Sequence, residues 1–290
     1  HRDLHSFPTR RSSDLFLDNI AAALIGGTIA LVVFRGRVYI GYVAAIVASS
    51  NAGGAGSVIG DTTTTLMWID GVPALNVIHA YIAVIPALIA FGIPLSIIQT
   101  RFQPIQNDAT PGIKLNHRKI LVVIMILAGA ITTNILLDFP AAGVWIGILL
   151  GALFTTTPWG ELKNSLKGTV FLLSLVFSAS MMPVETLPSA SWQTSLVLGF
   201  VSSFFDNIPL TKLALEQGGY DWGMLAYAVG FGGSMIWFGS SAGVAITNKF
   251  PEGRSVARWV RSGWWIAAAY VVGFLVLLAI WGWEPVMEYK

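Results

Sequence analysis

Residues 49–65 read SSNAGGAGSVIGDTTTT, and they interrupt an apolar run that extends from 38 to 69. Gly53, Gly54, Gly56 and Gly60 let the backbone leave helical bonding and approach a ligand closely. Asn51, Ser57, Asp61 and Thr62 set side-chain oxygens beside those glycines. At bilayer depth, irregular backbone survives only where it is buried in protein or lines a cavity. The stretch reads as a broken membrane helix with an oxygen-rich break.

The rest of the chain suits that reading. Charged residues make up 11% of the 290, against about 25% in an ordinary soluble domain. Apolar residues make up 54%, with 30 glycines besides. Such a chain cannot coat itself with charge, so a soluble enzyme, a nucleic-acid binder and a disordered tail are excluded. The solvent it fits is the lipid bilayer. Eleven Trp and seven Tyr suit interfacial belts. The absence of cysteine excludes disulfides and thiolate metal sites. No motif calls for a resident cofactor.

A second, similar pattern follows later. Phe16-Leu17-Asp18-Asn19-Ile20 precedes the first break, and Phe204-Phe205-Asp206-Asn207-Ile208-Pro209 precedes GFGGSMIWFGSSAG at 230–243. A motif followed by a broken helix, occurring twice, predicts an internal structural repeat. Charge then suggests the topology. If 195–217 is a re-entrant hairpin with Asp206-Asn207 at its tip, twelve cations share one face, among them Arg35, Arg37, Arg101, Lys249, Arg254 and Arg258. A straight span would scatter them, so the positive-inside rule favours the hairpin and an inverted repeat. The expected fold is an all-α polytopic membrane protein with inverted repeats, re-entrant hairpins and broken transmembrane helices. The expected location is the plasma or inner membrane of the cell.

Asp18, Asp61 and Asp206 carry the chemistry. A carboxylate in an apolar run must face a partner or a polar cavity. Burial disfavours its charged form, so a proton and a hard cation can compete for the same oxygens. Asn19, Asn51 and Asn207, with the carbonyls of Gly53, Gly54, Gly232 and Gly233, complete the expected coordination. Ser57, Thr62, Ser234, Ser240 and Ser241 add hydroxyls. The Na⁺ candidates are Asp18, Asn51, Asp61, Asp206 and Asn207. Helix capping by the Asp-Asn pairs is the competing explanation, and the two roles can coexist. Gly143, Gly147 and Gly151 instead read as helix-packing glycines. Gly239-Ser240-Ser241-Ala242-Gly243 has the spacing of a nucleophile elbow, but no histidine follows it. His79 and His117 show no metal-ligand spacing.

The run from Asn51 through Thr65-Leu66-Met67-Trp68 resembles the first-half signature of NhaD-type sodium/proton antiporters, in the ion transporter superfamily. Asp206-Asn207-Ile208-Pro209 and Gly232-Gly233-Ser234 with Gly239-Ser240-Ser241-Ala242-Gly243 resemble the second half. The likeness covers about 16–283. It implies exchange of Na⁺ or Li⁺ for protons, paired re-entrant hairpins, a midplane site and a homodimer. The segment after Val244, NKFPEGRSVARWVR, does not match that pattern. Two alternatives stand beside it: a symporter of carboxylates or oxyanions, and a membrane component without transport of its own. Lys212 is the lone cation near a motif, against three acids, which favours a cation substrate.

Residues 1–15, HRDLHSFPTRRSSDL, contradict the composition of everything after them and resemble a translated sequencing adapter. They are expected to be foreign to the fold, with true sequence missing upstream. The expected divisions are then 16–98 as the remnant of a first repeat, 99–118 as a cytoplasmic linker, 119–283 as a second repeat and 284–290 as a tail.

Overall fold

The structure is a computed structural model. It describes residues 19–106, 117–137, 139–157 and 188–286, with eight scattered positions between 159 and 181. The expectations for residues 1–15 and for Asp18 lie outside the described residues. Every regular element among those described is helical, with no strand.

Two compact units separate by their internal packing. The smaller contains, numbered in chain order, α6 (His117–Leu137) and α7 (Pro140–Phe154). These two helices lie close along a glycine seam. A Cβ added at Gly143 would fall 2.0 Å from the Gly129 carbonyl oxygen, one at Gly147 2.7 Å from Ile126 Cα and one at Gly151 2.4 Å from Val122 Cγ1. The GxxxG spacing serves close helix packing, as its small residues suggest.

The larger unit holds the remaining helices: α1 (Asn19–Val33), α2 (Ile40–Gly54), α3 (Thr62–Ile69), α4 (Leu75–Ile78), α5 (Tyr81–Phe102), α8 (Trp192–Ser202), α9 (Asn207–Gln217), α10 (Trp222–Gly232), α11 (Ser241–Thr247) and α12 (Val256–Trp281). Among the described residues, two segments, Leu75–Phe102 and Val256–Trp281, are long and apolar enough to cross a membrane. An all-helical fold with two such segments is consistent with a membrane protein. α5 shows the reason in its faces. Ala83, Ala87, Phe91 and Leu95 are buried, while Ile85, Ile89, Ile93 and Ile97 are exposed at every fourth position. One face packs inward, and an equally apolar face is left outside, as lipid solvent requires. Pro86 and Pro94 lie inside this helix. Each removes a backbone hydrogen bond, which membrane helices tolerate when neighbours support them.

α5 continues to Phe102, so the polar linker expected from 99 starts later. Gln99 explains the difference. It is fully buried, accepts from the Tyr39 N–H at 2.7 Å and donates to the Arg37 carbonyl at 3.3 Å. A polar residue thus closes a helix–turn junction instead of opening a loop. The apolar run 38–69 is two helices, α2 and α3, separated by the Gly-rich break. Residues 195–217 likewise form no straight span: α8 ends at Ser202, and α9 begins at Asn207. α12 bends at Gly263, whose φ of −109° and ψ of 18° leave the helical region. The bend sits against α2, where a Cβ at Gly41 would meet the Ser262 carbonyl oxygen at 2.4 Å.

Candidate functional site

Both Gly-rich breaks are closed by the same device. In the first, Gly54 and Gly60 meet: a Cβ at Gly54 would lie 2.4 Å from the Gly60 carbonyl oxygen. In the second, a Cβ at Gly233 would lie 2.5 Å from the Gly239 carbonyl oxygen. Each pair spans six residues, and each is followed by an extended residue that starts a short helix. Asp61 has φ −146° and ψ 148°; Ser240 has φ −145° and ψ 152°. Only glycine allows backbone to pack on backbone this tightly.

The side chains around the breaks form one buried polar cluster. Asn19 Nδ2 donates to Asn51 Oδ1 and to Asp61 Oδ1, each at 2.9 Å. Asn51 Nδ2 donates to Ser234 Oγ at 2.9 Å and to Ser240 Oγ at 3.0 Å. Thr63 Oγ1 donates to Asp61 Oδ2 at 2.6 Å. Asn19, Asn51, Asp61, Thr63, Ser234 and Ser240 are all buried. The cluster therefore joins α1, α2, both breaks and the start of α3. Asp61 leads into α3 yet makes no side-chain cap to it, so its carboxylate is committed to the cluster instead. Ser240 does cap its helix, accepting from the Gly243 N–H at 3.3 Å, and receives Asn51 as well.

One oxygen in this cluster is left over. Asn19 Oδ1 is buried and has no hydrogen-bond partner. A buried acceptor without a partner costs about 1–3 kcal/mol, so such an atom calls for an explanation. The wall next to Asp61 is equally specific. A Cβ at Gly230 would lie 2.9 Å from Asp61 Oδ2, so α10 presents bare backbone to the carboxylate.

The expected site residues among those described divide into four groups, the fourth at the α8–α9 turn. Asn19, Asn51, Asp61, Ser234 and Ser240 are joined directly. Gly54, Gly232 and Gly233 are buried in the scaffold of the breaks. A Cβ at Gly232 would collide with the Gly199 backbone, so this glycine serves the packing of α8 on α10. Gly53 is exposed, and its carbonyl accepts from the Tyr81 hydroxyl at 3.2 Å. Ser57 is half-buried, and its carbonyl accepts from Thr64 at 2.6 Å. Thr62 is exposed at the start of α3, and Thr63 is the threonine that meets Asp61. Ser241 is half-buried as the first residue of α11.

Asp206 and Asn207 lie at the turn between α8 and α9. Asp206 is half-buried, and its Oδ1 accepts from the Ile208 N–H at 3.0 Å, capping α9. Asn207 is buried, and its backbone carbonyl accepts from Thr211. The turn leans on the second break: a Cβ at Gly239 would lie 2.6 Å from the Ser203 carbonyl oxygen. Among the described residues, no group of three or more His, Cys, Asp and Glu could hold a metal ion. Any cation bound here would rest on amide, hydroxyl and backbone oxygens with a carboxylate, a donor set that suits a hard ion.

Sequence reasoning missed two features. Gly230 was one glycine among several, and its position against Asp61 depends on helix packing. His79 had no partner at useful spacing, yet its Nε2 lies 2.6 Å from Asp221 Oδ1, 142 residues away.

Comparison with known proteins agrees with the motif resemblance. The chain is 26% identical over 248 residues to sodium/proton antiporter 1 of Arabidopsis thaliana, covering 69% of this chain and 42% of that protein. It is 24% identical over 288 residues to sodium/proton antiporter 2 of the same plant, covering 82% and 66%. It is 22% identical over 293 residues to the Na⁺/H⁺ antiporter NhaD of Halomonas elongata, covering 81% and 58%. The chain spans about half the length of the curated relatives it matches. No family model matches, and no solved structure matches. The relatives carry transporter names, and the resemblance of this chain is to NhaD-type antiporters.

Proposed function

We propose that this chain belongs to a secondary transporter that exchanges Na⁺ or Li⁺ for protons across a cell membrane. The observation that carries the reading is the buried cluster between the two breaks, with the Asp61 carboxylate at one edge and the unpartnered Asn19 Oδ1 beside it. A proton on Asp61 neutralises the carboxylate; a cation on the same oxygens does so too. The two occupants exclude each other, because both require the same lone pairs. Exchange follows when the occupied site opens alternately to the two faces. The transported ions are cargo, and no resident cofactor is needed.

The paired architecture supports the same reading. Gly54–Gly60 and Gly233–Gly239 close their breaks alike, and Asp61 and Ser240 share a backbone conformation. We read this as an inverted repeat, with the α8–α9 turn as the tip of a re-entrant hairpin and Asp206-Asn207 as its part of the cation path. An anion substrate would want a free cation at the site, and Lys212 is engaged elsewhere. Its Nζ lies 3.4 Å from Glu216 and 4.0 Å from Asp70.

The test is flux. The full-length protein in vesicles should dissipate an imposed pH gradient when Na⁺ or Li⁺ is added, and should not respond to carboxylates or oxyanions. A gradient indifferent to Na⁺ and Li⁺ would overturn the reading.

A further inference from the structure

α5 and α12 pack antiparallel. A Cβ at Gly273 would lie 2.6 Å from the Ala83 carbonyl oxygen. At the other extreme, Tyr39 joins both helices: its N–H donates to Gln99 Oε1 at 2.7 Å, and its hydroxyl lies 3.5 Å from the Ser262 carbonyl oxygen. The end of α5, the start of α12 and the turn before α2 therefore share one end of the bundle. Arginines gather there. Arg37 stands in the turn, its guanidinium carbon 5.9 Å from the centre of the Phe102 ring. Arg101 is in the last turn of α5, and Arg261 directly precedes Ser262, with Arg258 one turn further out. The Phe102 ring meets the Tyr39 ring at 6.0 Å, so aromatic contacts tie the three elements together. All four arginines are exposed, and among the described residues no carboxylate pairs with any of them. Lys249 and Arg254, close by in sequence to α12, are instead engaged with Thr28 and Asn248. Asp221 and Glu284 lie at the other end, where α12 finishes.

The apolar face of α5 leads to this end. Ile85, Ile89, Ile93 and Ile97 form one exposed row at four-residue spacing, and Arg101 is the next member of that row. Side chains four apart are neighbours on a helix surface. From Ile85 to Ile97 the row runs about 18 Å, against about 15 Å for one leaflet's half of a hydrocarbon core about 30 Å thick. Beside it, Leu88, Gly92 and Ser96 line an open groove, and a Cβ at Gly92 would meet nothing within 4 Å. Trp264, exposed one turn inside Arg261, suits interfacial depth. An apolar track one leaflet long that ends in a guanidinium matches the order of a phospholipid, hydrocarbon chain and then phosphate.

We propose that Arg37, Arg101 and Arg261 bind the headgroup of an anionic phospholipid whose acyl chain lies along the Ile85–Ile97 row of α5. The proposal rests on the membrane reading and not on ion exchange. Guanidinium suits the task, because its planar fork gives two parallel hydrogen bonds to a phosphate and its charge does not titrate. A zwitterionic headgroup carries its own cation and answers the patch less well. A basic residue beside a membrane helix gains roughly fivefold in affinity for anionic lipid. The competing account is topological: cations on one face only orient the chain in the bilayer. That account predicts no preference for a bound lipid.

The test is lipid retention by the full-length protein in detergent, read by native mass spectrometry. Phosphatidylglycerol, phosphatidylcholine and inorganic phosphate are titrated separately. Phosphatidylglycerol should bind at least about tenfold more tightly than phosphatidylcholine, and inorganic phosphate should not displace it. Arg101→Gln should weaken phosphatidylglycerol roughly fivefold, and the combined Arg37→Gln, Arg101→Gln and Arg261→Gln variant should bind the two lipids alike. Lys212→Gln, which alters a cation paired with Glu216, should keep the preference. Equal retention of the two lipids by the unmodified protein, displacement by phosphate, or an undiminished preference in the combined variant would overturn the proposal. If the combined variant loses phosphatidylcholine as well, it has lost its fold, and the single variants decide. Arg101→Lys keeps the charge and should stay within about twofold of the unmodified protein. Equal behaviour of Arg101→Lys and Arg101→Gln would overturn the proposal. None of these readouts needs transport, so a failure of Na⁺ exchange leaves them standing. A full-length protein that stays monodisperse without detergent would overturn the membrane reading and the proposal with it.

Discussion

Asn51 Nδ2 and Ser240 Oγ meet at 3.0 Å, although 189 residues separate them in the chain. Asn51 lies three residues before Gly54, and Gly230 lies three residues before Gly233. Asn51 reaches the residue that starts the second short helix, Ser240. Gly230 in turn faces the residue that starts the first, Asp61, with a carboxylate oxygen 2.9 Å from where its Cβ would be. The two relations are reciprocal. They differ in one respect: the carboxamide on one side has no counterpart on the other, and the carboxylate lies where the counterpart is missing. The cluster is therefore paired in backbone but singular in charge.

That singular charge gives the first prediction. Asp61→Asn should bring Na⁺-dependent collapse of a pH gradient to the level of empty vesicles. Asparagine keeps an oxygen for Asn19 but cannot exchange a proton. Its amide would also face the Thr63 hydroxyl and the Gly230 backbone. Retained exchange in vesicles with matched protein content would remove Asp61 from the mechanism.

Gly230→Ala tests the wall. The added methyl would sit 2.9 Å from Asp61 Oδ2, inside van der Waals contact, and the buried helix leaves it little room to retreat. The carboxylate must rotate or α10 must shift. Apparent KM for Na⁺ should rise roughly tenfold, a loss of about 1.4 kcal/mol. Expression and thermal midpoint should change far less than KM does. An unchanged KM would show that the carboxylate's present orientation is not the binding one.

The extent to which the sequence foretold this arrangement depends on how local each signal was. The breaks were legible, because Gly53 to Gly60 and Gly230 to Gly243 interrupt apolar runs in a way no buried straight helix does. Asn51, Asp61 and Ser240 were legible as polar atoms with nowhere else to go. Thr62 was picked over Thr63 because the sequence carries no rotational phase: four threonines in a row look alike until the helix start is fixed, and the structure turns Thr63 inward. Gln99 was read as the edge of a loop, because its burial depends on Tyr39 and Arg37 across a turn. His79 and Asp221 were invisible as a pair for the same reason, since only packing brings 79 and 221 together.

Asn51→Ala should destabilise the fold. Asn51 accepts one hydrogen bond and donates two, all to buried partners. Its removal takes the donor from the Ser234 hydroxyl, leaves the Ser240 hydroxyl with the Gly243 N–H alone, takes one of the two acceptors of the Asn19 amide and opens a small cavity between the breaks. The expected loss is about 2–4 kcal/mol, from several stranded polar groups at about 1–3 kcal/mol each before relaxation. A thermal midpoint in detergent within about a degree of the unmodified protein would mean that water replaces the amide freely.

Asp206→Asn separates capping from ion handling. Asp206 Oδ1 accepts the Ile208 N–H at 3.0 Å and so satisfies one of the free donors at the start of α9. Asparagine caps helices about as well as aspartate, so stability should change by no more than about 0.5 kcal/mol. A purely capping Asp206 would therefore leave transport intact. The exchange reading expects the reverse. Asp206 lies beside buried Asn207, at a turn packed on the second break, where a carboxylate can take and release a proton or a cation and a carboxamide can do neither. The full-length variant should fold, insert and keep its thermal midpoint, yet lose Na⁺-driven proton movement in vesicles. Unmodified exchange in this variant would make Asp206 a cap alone, and would leave Asp61 as the carboxylate that couples the two ions.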